Sequence, residues 1–443
     1  MAELRPAYDF DDSRNSTLLF RGTAEIGIGD SSYSGEGEAW LDLFPKARLC
    51  FTGSFQNVPL EDYLEIFSRQ TDMSHFSIGD CQIEGLAISG NRQNSSDNTS
   101  FKCFPKSEPI VGVGRPSTAM SRVVFHLFDF RPYIGVRRLP FPDGDKVEFI
   151  DCLDFNSEEW AIIIQSLPET RKRFDTVRED GAHQLTHVGC FKKKDGSDFC
   201  GDESNDVIDA LRYFLSLAEG KWCEPVCAKG FDNSGESVWE HWSSPREHWR
   251  YSDSWFDQNH GCQLEELFPL FMEKWGQAGW RDAFREAIYW YLVANDASRG
   301  VDAGLILTQT AIERLSYEFS VNEESTVSRA GFQKSKASEK FRLLFSPKNI
   351  PLNVPSDSLK LQGLIQDQQW EDSPHALTAI RNSIIHPENR HYGEFESAYS
   401  EAWNLSQWYL EMSILAICGY SGTYSNRLKR GGWVGEVEDV PWA

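Results

Sequence analysis

The sequence predicts an α+β chain, with a β-rich first part followed by an all-α helical bundle. Two observations carry that prediction. Up to about residue 265 the apolar residues come in short, partly alternating runs broken by Gly, Pro and Ser. Beyond it they recur at three- and four-residue spacing, the mark of amphipathic helices. A third observation is charge. Residues 271–443 carry 17 Lys and Arg against 22 Asp and Glu, a net of −5, so of the chain's −23 the remaining −18 sits on residues 1–270. Such a surface repels phosphate backbones. Non-specific nucleic-acid binding by the first part is not expected, and any RNA contact should be local.

In chain order, the first part reads AEIGIG (24–29), EAWLDLFP (38–45) and ARLCFTGSF (47–55) as strands. SRVVFHLFDF (121–130) alternates through Val124, His126, Phe128 and Phe130, and EWAIIIQSLP (159–168) is an apolar block stopped by Pro. HQLTHVGCF (183–191) leads to Asp195-Gly196, a hairpin turn signal. GNRQNSSDNTS (90–100) is polar throughout and reads as a surface loop. SNDVIDALRYFLSLAEG (204–220) is the helix of this part, with Ile208, Leu211 and Leu215 at helical spacing and Gly220 as its stop. Residues 1–265 are therefore expected as one β-rich domain or two fused β modules.

The second part, 266–430, reads as five helices joined by polar loops: 280–295, 302–320, 338–345, a helix around 378–386, and 395–420 ending near Gly419. Residues 431–443 are expected as a loosely attached tail. The chain's start has no basic segment followed by an apolar run, and MSILAICGY is far short of the ~20 residues that span a bilayer. A cytoplasmic protein without membrane contact is the expectation. Ten Cys in 443 residues is not the density of a disulfide-stapled module.

The chemistry concentrates in TAIRNSIIHPENR (378–390). At about 100° per residue, Asn382 and His386 share a helix face, while Arg381 turns toward Ile380 and Ile384. Pro387 disfavours helical geometry at His386 and so leaves the imidazole at the helix end. A cation, an amide and an imidazole together suit RNA cleavage without a metal. An imidazole can take a proton from a ribose 2′-hydroxyl or give one to the leaving oxygen. A guanidinium stabilises the charge building on a five-coordinate phosphorus. Asn382 can orient the imidazole or donate to a phosphate oxygen. The bland alternative is that Arg381 pairs with Asp367 or Glu371 and that His386 caps carbonyls.

Arg381-Asn382-Ser383-Ile384-Ile385-His386, ending the fourth predicted helix of a five-helix bundle, resembles the R-N-x-x-x-H signature of HEPN-domain ribonucleases. Glu313, in AIERL, stands where related domains place an acidic partner for the motif Arg. Gly419, Tyr420, Gly422, Tyr424, Asn426 and Arg427 resemble the ending of the ApeA-like subgroup of abortive-infection proteins. GEGEAWLDLFPKARLCFTG, THVGCFKKKDGSDF and GFDNSGESVWEHW are similar, more loosely, to the β-rich domain before HEPN in that subgroup. The resemblance implies a metal-independent endoribonuclease of anti-phage defence, cleaving RNA, with tRNA one candidate, to 2′,3′-cyclic phosphate ends. It implies catalysis by Arg381 and His386, supported by Asn382, with Glu313 positioning Arg381. It further implies a homodimer with two motifs facing each other, no cofactor, and a first domain that senses a phage-derived trigger or restrains the nuclease. The alternative is an inactive HEPN bundle serving dimerisation or ligand binding, with the β-rich domain as the functional unit.

Arg390, His391, Arg427, Lys429 and Arg430 could form a basic rim, and of these Arg390 and Arg427 are the candidates for phosphate contacts. Cys223 and Cys227 make one pair and Cys190 and Cys200 another, after His183 and His187. The spacings match no zinc ribbon or finger, so ordinary thiols and a structural zinc both stay open. Trp239, Trp242, Trp249 and Trp255 are expected in core packing rather than as a base-stacking platform. GIG (27–29) and VGVG (111–114) lack the strand–glycine loop–helix context of a dinucleotide site.

Overall fold

A computed structural model describes residues 3–10, 16–28, 30–68, 75–93, 98–143, 146–386, 395–429 and 433–443. It has the predicted α+β order, with two antiparallel sheets first and helices after them. The first sheet is built from β1 (Ser16–Ile28), β2 (Ser31–Asp42), β3 (Arg48–Gln56), β4 (His75–Ile78), β5 (Cys81–Gln82), β6 (Gly85–Gln93) and β7 (Asn98–Pro105), in the order β5-β4-β1-β2-β3-β7-β6. The short helix α1 (Leu60–Ser68) follows β3. The second sheet contains β8 (Ile110–Val113), β9 (Arg122–Phe128), β10 (Arg137–Asp143), β11 (Lys146–Asn156), β12 (Trp160–Ser166), β13 (Leu185–Lys193), β14 (Val226–Phe231) and β15 (Ser237–Trp242). Its order is β10-β11-β12-β13-β9-β14-β15-β8.

The second sheet is the middle layer, and β9 shows why. Side chains alternate across a strand. Val123, Phe125 and Leu127 enter the core shared with the helices, whereas His126 and Phe128 face Tyr8 and Phe10 on the other side. The first sheet packs on that other side. Trp242 at the end of β15 is fully buried, with its ring 5.9 Å from Phe20 and 6.1 Å from Phe51. It also lies flat on Gly112 of β8, where a Cβ would come within 2.2 Å of the indole, so only glycine fits there.

On the opposite face sits α3 (Gly201–Glu219), preceded by α2 (Thr170–Asp180). Helix α3 buries Val207, Ile208, Leu211, Phe214 and Leu215. The helices that follow are α4 (Cys262–Trp275), α5 (Ala278–Ala294), α6 (Val301–Tyr317), α7 (Arg329–Lys334), α8 (Ala337–Phe345), α9 (Leu359–Gln368), α10 (Ser373–Ile385) and α11 (Tyr399–Cys418). The change from strand to helix falls between Trp242 and Cys262, but the packing does not divide there. Phe155 of β11 stacks on Phe268 of α4 at 4.6 Å, and the Asp154 N–H donates to Glu265 at 2.8 Å. One hydrophobic core runs from Met120 to Val440, and a second serves the first sheet.

Four local expectations are corrected. Residues 90–93 and 98–100 are paired strand rather than loop, because β6 and β7 face each other in antiparallel register from Gly85↔Pro105 to Gln93↔Asn98. Asp195-Gly196 makes a turn, with Gly196 at φ +77°, but it leads into α3 and not into a hairpin partner. The bundle has eight helices among the described residues rather than five. Residues 433–443 are held rather than loose: β17 (Glu438–Asp439) pairs with β16 (Thr423–Tyr424), and the Trp442 indole N–H donates to the Tyr420 carbonyl at 2.8 Å. No helix among the described residues is long and apolar enough to cross a membrane.

Candidate functional site

The site is the C-terminal end of α10, and its helix is fixed at both ends. Asp372 caps the start by accepting the His375 N–H at 2.9 Å, with Pro374 in the first turn, where its missing N–H costs nothing. Arg342 of α8 grips both Asp372 oxygens at 2.8 Å and reaches Glu371 at 3.0 Å. Gln309 of α6 donates to the Leu377 carbonyl at 2.8 Å. Ala376, Leu377, Ile380 and Ser383 are buried. At the far end His386 leaves the helix with φ −102° and ψ 109°, the extended geometry that a following proline favours. Its N–H still bonds the Asn382 carbonyl at 3.0 Å.

Arg381 and Asn382 are half-buried and His386 is exposed. The Arg381 guanidinium donates to Asn382 Oδ1 at 3.2 Å. Its Nε is buried and has no hydrogen-bond partner among the described residues, where no carboxylate pairs with this guanidinium either. A cation held by an amide, with one donor unsatisfied, can receive an anion without first breaking an ion pair. Glu371, the alternative partner weighed from sequence, is taken by Arg342.

Other candidates are placed elsewhere. Glu313 accepts a hydrogen bond from Lys340 of α8 at 2.9 Å, so its carboxylate is spent on that pair and not on Arg381. Arg427 is not available to substrate. Its side chain is 1% exposed and pairs with Glu411 at 2.7 Å, while also donating to Asn295 Oδ1 at 3.2 Å and the Asp253 carbonyl at 2.8 Å. Tyr291 completes this buried group through a 2.6 Å bond to Glu411. Burial raises the Glu411 carboxyl while Arg427 opposes the rise. Lys429 is engaged by Glu438 at 2.9 Å. Arg390, His391 and Arg430 lie outside the described residues.

The thiols and histidines do not converge, and no three His, Cys, Asp or Glu among the described residues form a metal-sized group. His183 pairs with Asp129 at 2.5 Å, His187 stacks on Tyr133 at 5.1 Å, and the Cys227 thiol faces the Ser243 carbonyl at 3.2 Å. Burial pushes the Cys190 thiol up to about 11. Trp239, Trp242 and Trp255 are fully buried, and half-buried Trp249 meets Phe174 edge-on. The three fully buried indoles offer no face to a base.

The positioning residues Arg342, Asp372 and Gln309 were not read from sequence as belonging to the site. Asp372-Ser373-Pro374 is a legible helix start. Nothing in the spacing of Arg342 or Gln309 marks either one.

Residues 115–254, the second sheet apart from β8 together with α2 and α3, match the family model of the YopA central domain, and residues 277–439 match that of the YopA C-terminal domain. The chain is also similar, at 29% identity over 442 residues, to the "SPbeta prophage-derived uncharacterized protein YopA" of Bacillus subtilis (strain 168), over 97% of this chain and 96% of the relative. No solved structure matches the chain.

Proposed function

We propose that the chain is a metal-independent endoribonuclease of the HEPN class, similar to ApeA-like abortive-infection proteins and acting in the bacterial cytoplasm as a homodimer. The observation that carries this reading is the union of Arg381, Asn382 and His386 at one helix end, with an Arg381 Nε that has no hydrogen-bond partner among the described residues.

In the proposed reaction a ribose 2′-hydroxyl attacks the adjacent phosphorus. His386 takes the hydroxyl proton, and the P–O5′ bond breaks as the 2′-oxygen bonds to phosphorus. Arg381 holds the charge on the non-bridging oxygens. A second imidazole, the His386 of a second copy, gives a proton to the leaving 5′-oxygen. The products are a 2′,3′-cyclic phosphate and a 5′-hydroxyl, so atoms and protons balance without a cofactor. RNA is the substrate, with tRNA one candidate. The acidic first part restrains the site or receives a phage-derived trigger. A prophage-derived relative is in keeping with a role in conflict between phages and their hosts.

The test is incubation of the purified protein with total RNA in EDTA, beside His386→Ala, with the cleaved ends mapped. Cyclic phosphate ends that vanish in the variant are expected. Cleavage that requires metal or survives the substitution would overturn the mechanism. A second reading, a non-catalytic bundle used for pairing or ligand binding, is favoured by one observation: Glu313 serves Lys340 and not Arg381. Absence of cleavage with every RNA tried would support it.

A further inference from the structure

We propose that the cleft between the two β-sheets is a binding site for a small phosphorylated ligand of nucleotide size. The cleft measures about 480 Å³ and lies where the connection from β2 to β3, the connection from β7 to β8, helix α3 and the segment after β15 converge. That volume is far larger than an inorganic ion needs and falls in the range of small-molecule sites.

Its walls invert the charge of the chain around them. Five cations line it: Lys46, Arg48, Lys106, Arg212 and Arg246. The two carboxylates in the wall are already committed. Glu108 accepts the Leu49 N–H at 2.9 Å with one oxygen, and the Ser244 N–H at 2.8 Å and hydroxyl at 2.7 Å with the other. Glu224 is buried between Arg212 at 2.8 Å and Arg246 at 3.1 Å. The lining thus holds five cations against two carboxylates, on a chain of net charge −23.

Arg48 is the most informative wall residue. Its guanidinium lies 3.6 Å over the Phe104 ring, and its Nε is buried without a hydrogen-bond partner among the described residues. A phosphate oxygen is the acceptor a guanidinium fork fits best. A small phosphate ester feels the local field of the cleft. A long polyanion must also cover the acidic surface outside it, where repulsion acts over about 8 Å at physiological salt. A small ligand is therefore favoured over RNA here, and the proposal stands apart from the ribonuclease reading.

The test is isothermal titration of the full chain with AMP, ATP, inorganic phosphate, adenosine and a short single-stranded RNA, repeated with Arg48→Gln and Lys46→Glu. Lys46 is exposed, so Lys46→Glu tests the site without threatening the fold, and melting curves check both variants. Saturable binding of AMP or ATP is expected, weakened about tenfold or more by each variant and by added salt. Adenosine should not bind. Five outcomes would overturn the proposal: adenosine binding as well as AMP, inorganic phosphate binding as tightly as the nucleotides, binding of RNA alone, unchanged nucleotide affinity in Lys46→Glu, or no binding by any probe.

Discussion

Arg427 Nη2 lies 2.7 Å from Glu411 Oε1, with both side chains sealed from water. The pair ties the segment after α11 to α5 and to the loop at Asp253, through Tyr291, Asn295 and the Asp253 carbonyl. Arg427→Met would strand a buried carboxylate, and removing one partner of such a pair costs about 3–5 kcal/mol. A fall of that size in chemical denaturation is expected. Arg427→Lys should recover little of it, because an ammonium lacks the fork that reaches acceptors on four residues.

At the end of α10 the expected pattern is the reverse. His386→Ala and Arg381→Ala change exposed or half-buried groups, so stability should move by less than about 1 kcal/mol. If the proposed reaction holds, RNA cleavage should drop at least about 100-fold in each, the usual scale of a lost proton-transfer or charge-stabilising group. Parallel melting curves and end-mapping separate the two effects.

Glu313 tests the positioning role that the family resemblance implies. Because it is bonded to half-buried Lys340, Glu313→Gln and Lys340→Met should each cost at most about 1 kcal/mol, with a coupling of similar size in a double-mutant cycle. Cleavage should stay within about threefold of the parent, well short of the loss from an essential group. A fall as large as that of His386→Ala would return Glu313 to the proposed site.

Acid should loosen the amino-terminal segment. The Ala7 N–H donates to His126 Nε2 at 2.9 Å, while Nδ1 faces the Val226 and Cys227 carbonyls at 3.1 Å each. The ring must therefore be neutral, with its proton on Nδ1. Burial pushes His126 down to about 4, and His187 and His241 down to about 3 and about 4, against roughly 6.5 in an unfolded chain. A depressed folded-state value contributes stability that is whole above about pH 6.5 and drains away as pH falls toward 4. For His126 the contribution is on the order of 3 kcal/mol. Denaturation at pH 7 and near pH 5 should show the loss, and His126→Gln should flatten the slope by nearly one proton. Proteolysis at residues 3–10 should quicken as the pH falls toward 4.

The class of fold was legible because period carries it. β9 and α3 announce themselves by apolar spacing, and so does the capped start of α10. The extended turn at His386 was legible too, since Pro387 dictates it locally. What the sequence did not disclose depends on distant partners. The capture of Glu313 by Lys340, 27 positions away, leaves no local signature. Arg427 looked like a surface cation because its residue type usually is one, and only the buried Glu411 explains it. The strands at 90–93 and 98–100 were hidden by polar composition, because sheet pairing satisfies the backbone whatever the side chains are. Helices α4, α7 and α9 leave a weak signal, because the first carries Pro269, the second has six residues and the third buries only Leu361.

The core that passes without a break from β9 and β11 through α3 and α4 into the bundle sets the grain along which this protein comes apart. A cut near residue 265 would expose Phe155, Phe214 and Phe268 to water instead of freeing two working halves. The natural seam is the layer of Trp242, Phe20 and Phe51, where the first sheet rests on the second. Calorimetry should accordingly resolve one transition for residues 120–443 melting as a block and another for the first sheet. Whatever reaches the second sheet is already touching the scaffold that carries α10, with no hinge in between.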